Sequence, residues 1–238
     1  MHRAFACLAS VFLIAVAAAP AHAAEKVDVE LVLASDGSGS IDDNELRFQR
    51  QGYAKAIMHP LVLNAIRGGE HRKIALLFVE WAAPSSVEII VGWHVVSDAA
   101  SAKVFADKLM RAPRKVFGYN SISAAIAFST KEIQTNAYDG KRKIIDVSGD
   151  GPQMNGPPLP LVRDAALKAG ITINALAIKT RGGTGFRGGY GETLEKHYER
   201  EVIGGPGAFV MVADETVGFE EVVLRKLIRE VAFLPNGR

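Results

Sequence analysis

Apolar runs of strand length alternate with segments of helical periodicity along most of this chain, and this alternation restricts the possible folds more than any other feature. The runs are rich in β-branched residues, whereas the segments between them repeat their apolar residues at the spacing of one helix face. The predicted strands cover residues 27–34, 73–81, 86–95, 143–148, 171–178 and 208–212, and the predicted helices cover residues 42–59, 98–110, 122–129, 162–169, 192–201 and 219–231.

Strands that alternate with helices predict an α/β fold, in which a mostly parallel sheet is covered by helices on both faces. Only the short Ala83-Pro84-Ser85 segment separates the second and third strands, which indicates a hairpin and therefore one antiparallel edge strand. We therefore predict a Rossmann-like, doubly wound sheet in a single domain over residues 24–238. The formal net charge of +2 does not favour nucleic-acid binding, and the small cluster of Arg111, Arg114 and Lys115 is interpreted as solvated charge.

The first 23 residues have the pattern of a secretory signal peptide. Arg3 precedes an apolar stretch over residues 4–19, and Ala21-His22-Ala23 forms a small-x-small cleavage site. We therefore expect cleavage after Ala23 and a periplasmic or secreted protein, with no transmembrane segment after cleavage. The one cysteine, Cys7, would be removed with the leader, so the mature chain would form no disulfide.

The segment over residues 33–48, LASDGSGSIDDNELRF, allows two interpretations as a metal loop. As an EF-hand it would place Asp36 at the third loop position and Glu45 at the twelfth. Ala34 would then occupy the first ligand position without a side-chain oxygen, and a strand would precede the loop where an EF-hand has a helix. The pattern therefore favours the second interpretation, an Asp-x-Ser-x-Ser loop that begins at Asp36.

In that interpretation Asp36, Ser38 and Ser40 present three oxygens at the carboxyl end of a strand, where parallel α/β sheets bind their ligands. Carboxylate and hydroxyl oxygens suit Mg²⁺, Mn²⁺ or Ca²⁺, but one carboxylate and two hydroxyls are too few, so other loops must contribute. Asp150 closes a later apolar strand and is a candidate. Asp146 lies within that strand and either supports the metal site or pairs with a basic side chain.

This arrangement resembles the metal-ion-dependent adhesion site (MIDAS) of von Willebrand factor A domains. That site combines Asp-x-Ser-x-Ser with a Thr before a helix and an Asp after a later strand, and Asp150 in IIDVSGDG matches the last element. The stretches FVEW, IDVSGDGP and EVIGGPGAF further resemble a bacterial exported family that contains this domain and has no assigned function. The resemblance covers nearly the whole mature chain and implies the von Willebrand factor A fold.

The middle element departs from the family pattern, because Asn120 stands at the Thr position in FGYNSISAAI and Ser121 follows it. Either side chain has an oxygen that can bind a cation, and we slightly favour Ser121. The resemblance implies a divalent cation, Mg²⁺ in preference to Mn²⁺ or Ca²⁺, with Gly37 and Gly151 at the rim. It also implies an exported binding module whose protein partner supplies an Asp or Glu to the cation.

Two other functions are weighed against this one. A metal-dependent hydrolase would need a base, yet the chain has neither Gly-x-Ser-x-Gly nor His-Glu-x-x-His, and we expect no enzyme. The 183–188 segment matches a dinucleotide fingerprint, but too little chain follows it for a dinucleotide fold. We interpret residues 181–191 as a surface loop on the same rim, where it would shape partner specificity.

Overall fold

The structure, a computed structural model, describes residues 23–179, 191–214 and 217–232. The leader residues 1–22 and the glycine-rich loop up to residue 190 lie outside the described residues, so both predictions stand untested. The strands are β1 (Glu25–Asp36), β2 (Ile74–Trp81), β3 (Val87–Val96), β4 (Tyr138–Gly149), β5 (Ile171–Ile178) and β6 (Val210–Ala213). The helices are α1 (Asp43–Ile57), α2 (Pro60–Arg67), α3 (Ala99–Arg111), α4 (Ile122–Thr135), α5 (Leu159–Lys168), α6 (Leu194–Glu201) and α7 (Phe219–Val231).

The strands form one sheet in the order β3-β2-β1-β4-β5-β6. All neighbouring pairs are parallel except β2 and β3, which form the antiparallel pair at one edge. The predicted doubly wound sheet with one antiparallel edge strand is therefore confirmed. Strand order reverses at β1, so the ends of β1 and β4 lie side by side at the switch point where α/β folds bind ligands.

Two apolar layers cover the sheet, and β1 contributes to both of them. Leu31 and Leu33 pack on the side of α1, α2, α3 and α7, whereas Val32 and Ala34 pack on the side of α4, α5 and α6. This division follows from the two-residue side-chain period of a strand. Each fully buried Leu stabilises the fold by about 1.5–3 kcal/mol, and the continuous burial of β1 holds Asp36 firmly in place.

The structure differs from the predicted elements mainly at their ends. β1 and β4 are longer than predicted because their backbones already pair at Glu25 and Tyr138, where the side chains are too polar to indicate a strand. The helix after Asp42 ends at Ile57, and a separate helix begins at Pro60, with His59 as its N-cap. The proline ring suits the first turn of a new helix but not the middle of one.

Within the described residues, no helix is both long enough and apolar enough to cross a bilayer.

Candidate metal centre

Asp36 is the last residue of β1 and its side chain is completely buried. Its Oδ1 accepts a hydrogen bond of 2.7 Å from the backbone amide of Ser38, which turns the chain directly after the strand. Its Oδ2 is buried and has no hydrogen-bond partner. A buried carboxylate oxygen without a partner is costly, and a bound cation would remove that cost.

A row of side-chain oxygens leads from this buried position to the surface. The Oγ atoms of Ser38 and Ser40 lie 3.2 Å apart, and Ser40 Oγ donates to Asp150 Oδ1 at 3.1 Å. Ser38 is buried, Ser40 is exposed and Asp150 is half-buried. Residues 110 positions apart therefore meet at one point because β1 and β4 are neighbours in the sheet.

The electrostatics of the site favour a cation. Burial and, after it, the nearby Asp150 carboxylate raise the pKa of Asp36 from 3.8 to about 7, although hydrogen bonds from Ser38 and from the Asp150 backbone oppose the shift. A positive ion between the two carboxylates would oppose both effects and lower the pKa of Asp36. The donor set of two carboxylates and two hydroxyls is oxygen-only, which fits a hard divalent cation.

Few acidic residues take part in this donor set. Among the described residues, no group of three or more His, Cys, Asp or Glu side chains is arranged to hold a metal. The hydroxyl and amide groups would therefore complete the coordination, together with water. Such a cation keeps most of its charge available for an external ligand.

Two glycines leave space beside the site. A Cβ on Gly149 would lie 3.1 Å from Asp36 Oδ2 and 2.9 Å from Tyr198 Oη, and a Cβ on Gly151 would lie 2.3 Å from Asn120 Nδ2. Any larger residue at these positions would push against the Asp36 carboxylate or the Asn120 amide. This close contact explains why a glycine stands at position 151, which was predicted to lie at the rim.

The two candidates for the middle ligand have different roles. Ser121 is completely buried, caps α4 by accepting from the Ala124 amide, and donates to the Asn155 carbonyl at 2.7 Å. The side chain of Asn120 lies directly against Gly151, next to Asp150. The Ser121 hydroxyl, which the sequence slightly favoured as the ligand, is thus engaged on both sides in the structure, whereas the Asn120 amide faces the loop that carries Asp150.

Asp146 forms a buried ion pair with a lysine. Its carboxylate lies 2.6 Å from the Nζ atom of Lys226 on α7, and the same ammonium group pairs with Glu230. Of the two alternatives for Asp146, the structure contains the pairing with a basic side chain. The sequence left the two alternatives equal because this partner lies 80 positions away and no local pattern reveals it.

Two residues of the site were missed by the sequence interpretation. Tyr198 on α6 is completely buried and donates its hydroxyl to the Gly151 carbonyl at 2.8 Å, and burial together with Asp36 and Asp150 raises its pKa well above 10. Arg114 was interpreted as solvated, yet its guanidinium donates to the carbonyls of Gly37 at 2.9 Å and Ser38 at 3.2 Å. No spacing signal in the sequence points to either contact.

The EF-hand alternative is wrong. Glu45 accepts from the Asp42 amide at 3.0 Å while Asp42 Oδ1 accepts from the Glu45 amide at 2.8 Å. The two residues thus form the predicted capping box of α1, and Glu45 is used there. The segment before the loop is a strand and not a helix.

The chain matches one known protein family over most of its length. Residues 26–235 match the family described as "Protein of unknown function (DUF1194)". The chain belongs to the DUF1194 family. No curated protein matches the DUF1194 chain.

Solved structures share the fold of this DUF1194 chain at low sequence identity. Proximal thread matrix protein 1 from the mussel byssus is 14% identical with a TM-score of 0.60, over 87% of this chain and 48% of that one. The pilus adhesin SpaC from Lactobacillus rhamnosus GG is 14% identical with a TM-score of 0.59, over 86% of this chain and 30% of that one. The von Willebrand factor type A protein from Catenulispora acidiphila is 13% identical with a TM-score of 0.55, over 87% and 42%.

These similarities establish the von Willebrand factor A fold for the DUF1194 chain, as the resemblance implied. The chain spans about half or less of the length of these three proteins. Another structure of the mussel protein has a zinc-occupied MIDAS motif, with a TM-score of 0.52 to this chain at 14% identity, over 88% of this chain and 45% of that one.

Proposed function

We propose that this protein is a metal-dependent binding module, which holds a divalent cation at the ends of β1 and β4 and binds an acidic group of a protein partner there. The observation that carries the proposal is the buried Asp36 Oδ2, which has no hydrogen-bond partner and lies in the space left by Gly149. The zinc-occupied MIDAS of the mussel protein supports a cation at this position of the fold. The adhesin SpaC supports a binding role.

Asp36, Ser38, Ser40 and Asp150 would hold the cation, with Asn120 in the place of the family Thr. We propose Mg²⁺ as the resident ion, because all of these donors are oxygens and Mg²⁺ keeps several waters when few protein ligands bind it. The bound ion supplies a positive charge that an external carboxylate can approach. The protein residues fix the ion at the rim and exclude water from the buried side of Asp36.

We propose a binding function and not catalysis. The side chains hydrogen-bonded near the two carboxylates are Ser38 and Ser40, and neither is a base at neutral pH. A hydrolase remains the alternative from the sequence, but no specific contact in the described residues favours it. We also propose that the protein acts outside the cytoplasm after removal of its leader.

Replacement of Asp36 by Ala tests the metal site directly. With free Mg²⁺ at ten times its dissociation constant, the wild-type protein should gain about 1.4 kcal/mol of stability over the protein in chelator. Asp36→Ala should remain folded, since it removes a buried charge, but should melt at the same temperature in Mg²⁺ and in chelator. Differential scanning calorimetry measures both.

Glu45→Ala is the matched control for this experiment. It removes a carboxylate nine positions away that caps α1 and contacts no proposed ligand, so it should lower the melting temperature equally with and without Mg²⁺. Equal Mg²⁺ affinity of Asp36→Ala and wild type in titration calorimetry would refute the site. Loss of the Mg²⁺ effect in Glu45→Ala would do the same.

A further inference from the structure

Large apolar side chains are exposed around the proposed metal site. Phe117 is 63% exposed, Tyr119 is 73% exposed and Met154 is 60% exposed. Phe117 and Tyr119 precede Asn120 in the loop before α4, and Met154 follows Asp150 in the loop after β4. Single exposed apolar residues are common, but aromatic residues grouped at one rim are typical of recognition surfaces.

The segment over residues 115–120 bends at Gly118 and Tyr119, and its side chains alternate between the solvent and the interior. Lys115, Phe117 and Tyr119 are exposed, whereas Val116 and Asn120 are buried. The buried Val116 packs against Gly37 in the loop after β1. A Cβ on Gly37 would lie 2.5 Å from the Cγ2 atom of Val116. One face of the segment thus contacts the site, and the other face carries the ammonium group of Lys115 and the rings of Phe117 and Tyr119.

The segment is held on several sides, so its exposed side chains stand on a fixed backbone. The Gly39 amide donates to the Gly118 carbonyl at 2.9 Å, and the Phe117 amide donates to Ser86 Oγ at 3.0 Å. Arg114 binds the Gly37 carbonyl and lies 5.4 Å from the centre of the Phe117 ring. A preorganised surface loses little conformational entropy when it binds.

Met154 is attached to the same segment from the other side. Its amide donates to the Asn120 carbonyl at 2.9 Å. The Gln153 side chain, which precedes it, accepts from the Ser123 amide at 2.9 Å. The loop that carries Asp150 and the loop that carries Asn120 therefore form one continuous rim around the cation position.

We infer that Lys115, Phe117, Tyr119 and Met154 form a specificity-determining rim, which selects a peptide segment whose acidic side chain is flanked by apolar or aromatic residues. The inference rests on the proposed function, because the acidic side chain would be the one that approaches the cation. Charge complementarity supports it: the cation and Lys115 both favour an acidic segment, while the rings would bury its apolar neighbours. The rim thus adds side-chain selectivity to a metal contact that any carboxylate satisfies.

The probe for this inference is a displayed library of random peptides, selected on the immobilised protein in Mg²⁺ and eluted with chelator. The eluted peptides should be enriched in Asp or Glu with an aromatic or aliphatic residue beside it. A synthetic peptide with the enriched sequence is then titrated into purified variants in Mg²⁺ and in chelator.

Two variants separate the rim from the metal site. The double variant Phe117→Ser/Tyr119→Ser should bind the peptide about tenfold or more weakly than wild type, yet keep the full stabilisation by Mg²⁺. Leu61→Ser is the matched control, because Leu61 is 54% exposed at the start of α2 and lies away from the rim. It should bind the peptide as wild type does.

The outcomes distinguish the rim inference from the proposed function. A peptide that needs Mg²⁺ but binds the double variant as tightly as wild type would overturn the rim inference and leave the metal-dependent function in place. A peptide that binds equally in chelator, or a selection without any chelator-eluted peptide, would overturn both.

Discussion

At the scale of single residues, the proposed metal site depends on whether the Asp36 carboxylate is ionised. Its carboxylate is enclosed by the sheet end, the Ser38 turn and the space beside Gly149, and its Oδ2 has no donor to bind. Ionisation therefore costs free energy in the metal-free protein. Burial, and after it the Asp150 carboxylate, raises the pKa of Asp36 to about 7 for this reason.

We expect the stabilisation by Mg²⁺ to increase as the pH rises from 5 to 8. The folded pKa of Asp36 is raised above its ordinary value of 3.8, so the metal-free protein has this contribution to stability at low pH and loses it as the pH rises through about 7. Mg²⁺ binds the ionised carboxylate, so protons compete with it below that pH. Melting curves with and without Mg²⁺ across this range measure the difference.

Asp36→Asn serves as the control for the pH experiment. Asp146 also has a pKa raised by burial and by Glu230, so it gives the metal-free protein a pH dependence of the same sign. That part should persist in Asp36→Asn, whereas the Mg²⁺-dependent part should vanish. A Mg²⁺ effect that stays constant from pH 5 to 8 would contradict the assigned role of Asp36.

Asn120 and Ser121 should separate into a metal role and a structural role. Asn120→Ala should weaken Mg²⁺ binding with little change in the stability of the metal-free protein. Ser121→Ala should lower stability by about 0.5–2 kcal/mol through the lost cap of α4, and should leave Mg²⁺ affinity unchanged. Titration calorimetry and urea unfolding of both variants test this, and the opposite pattern would restore Ser121 as the ligand.

At the scale of elements, helix α7 is attached to the sheet by charges as well as by apolar packing. Lys226 is 1% exposed and its ammonium group lies between Asp146 of β4 and Glu230 of its own helix. Asn174 of β5 donates to Glu230 Oε1 at 2.9 Å. An ammonium group in the interior stabilises α7 only while these acidic partners are present.

Lys226→Met should destabilise the protein by about 3–5 kcal/mol at pH 8, because it leaves two carboxylates buried without a cation. Lys55→Met is the matched control, since Lys55 on α1 also pairs with α7, through Glu220, but at the surface. Its loss should lower the free energy of unfolding by less than about 1 kcal/mol. Urea unfolding measures both. The loss of stability in Lys226→Met should decrease at lower pH, where Asp146 takes up a proton. An equal loss of stability in the two variants would contradict the proposed role of Lys226.

At the scale of the whole molecule, the sheet order explains why the site lies where it does. β1 is central and its neighbours β2 and β4 run parallel to it, so the loops after these strands meet at one edge. The leader would be removed from the opposite end of β1, far from the cation, so processing would leave the site intact.

The mature protein should therefore begin at Ala24 and remain in the soluble exported fraction. The pattern of Arg3, the short apolar stretch and the Ala21-His22-Ala23 site is the reason for this expectation. Intact mass spectrometry of protein recovered after export is the measurement. Protein that retains Met1 in the membrane fraction would contradict it.

The three-part pattern of Asp36, Asn120 or Ser121, and Asp150 came from the resemblance to von Willebrand factor A domains. By itself the sequence determined the alternation of strands and helices, the hairpin at the sheet edge and the capping box at Asp42. Each of these depends on local periodicity, turn chemistry or the order of elements along the chain, which are properties of neighbouring residues. The fold class could be predicted for the same reason.

Only the tertiary structure decided that Asp146 pairs with Lys226 and that Ser121 is engaged elsewhere. It also decided that Tyr198 binds the Gly151 carbonyl after β4 and that Arg114 binds the Gly37 carbonyl after β1. These contacts join residues far apart in the chain, and the same side chains would also be acceptable on a solvated surface. Their partners are set by how the helices pack over the sheet, and packing depends on the shape of the whole core rather than on any short pattern.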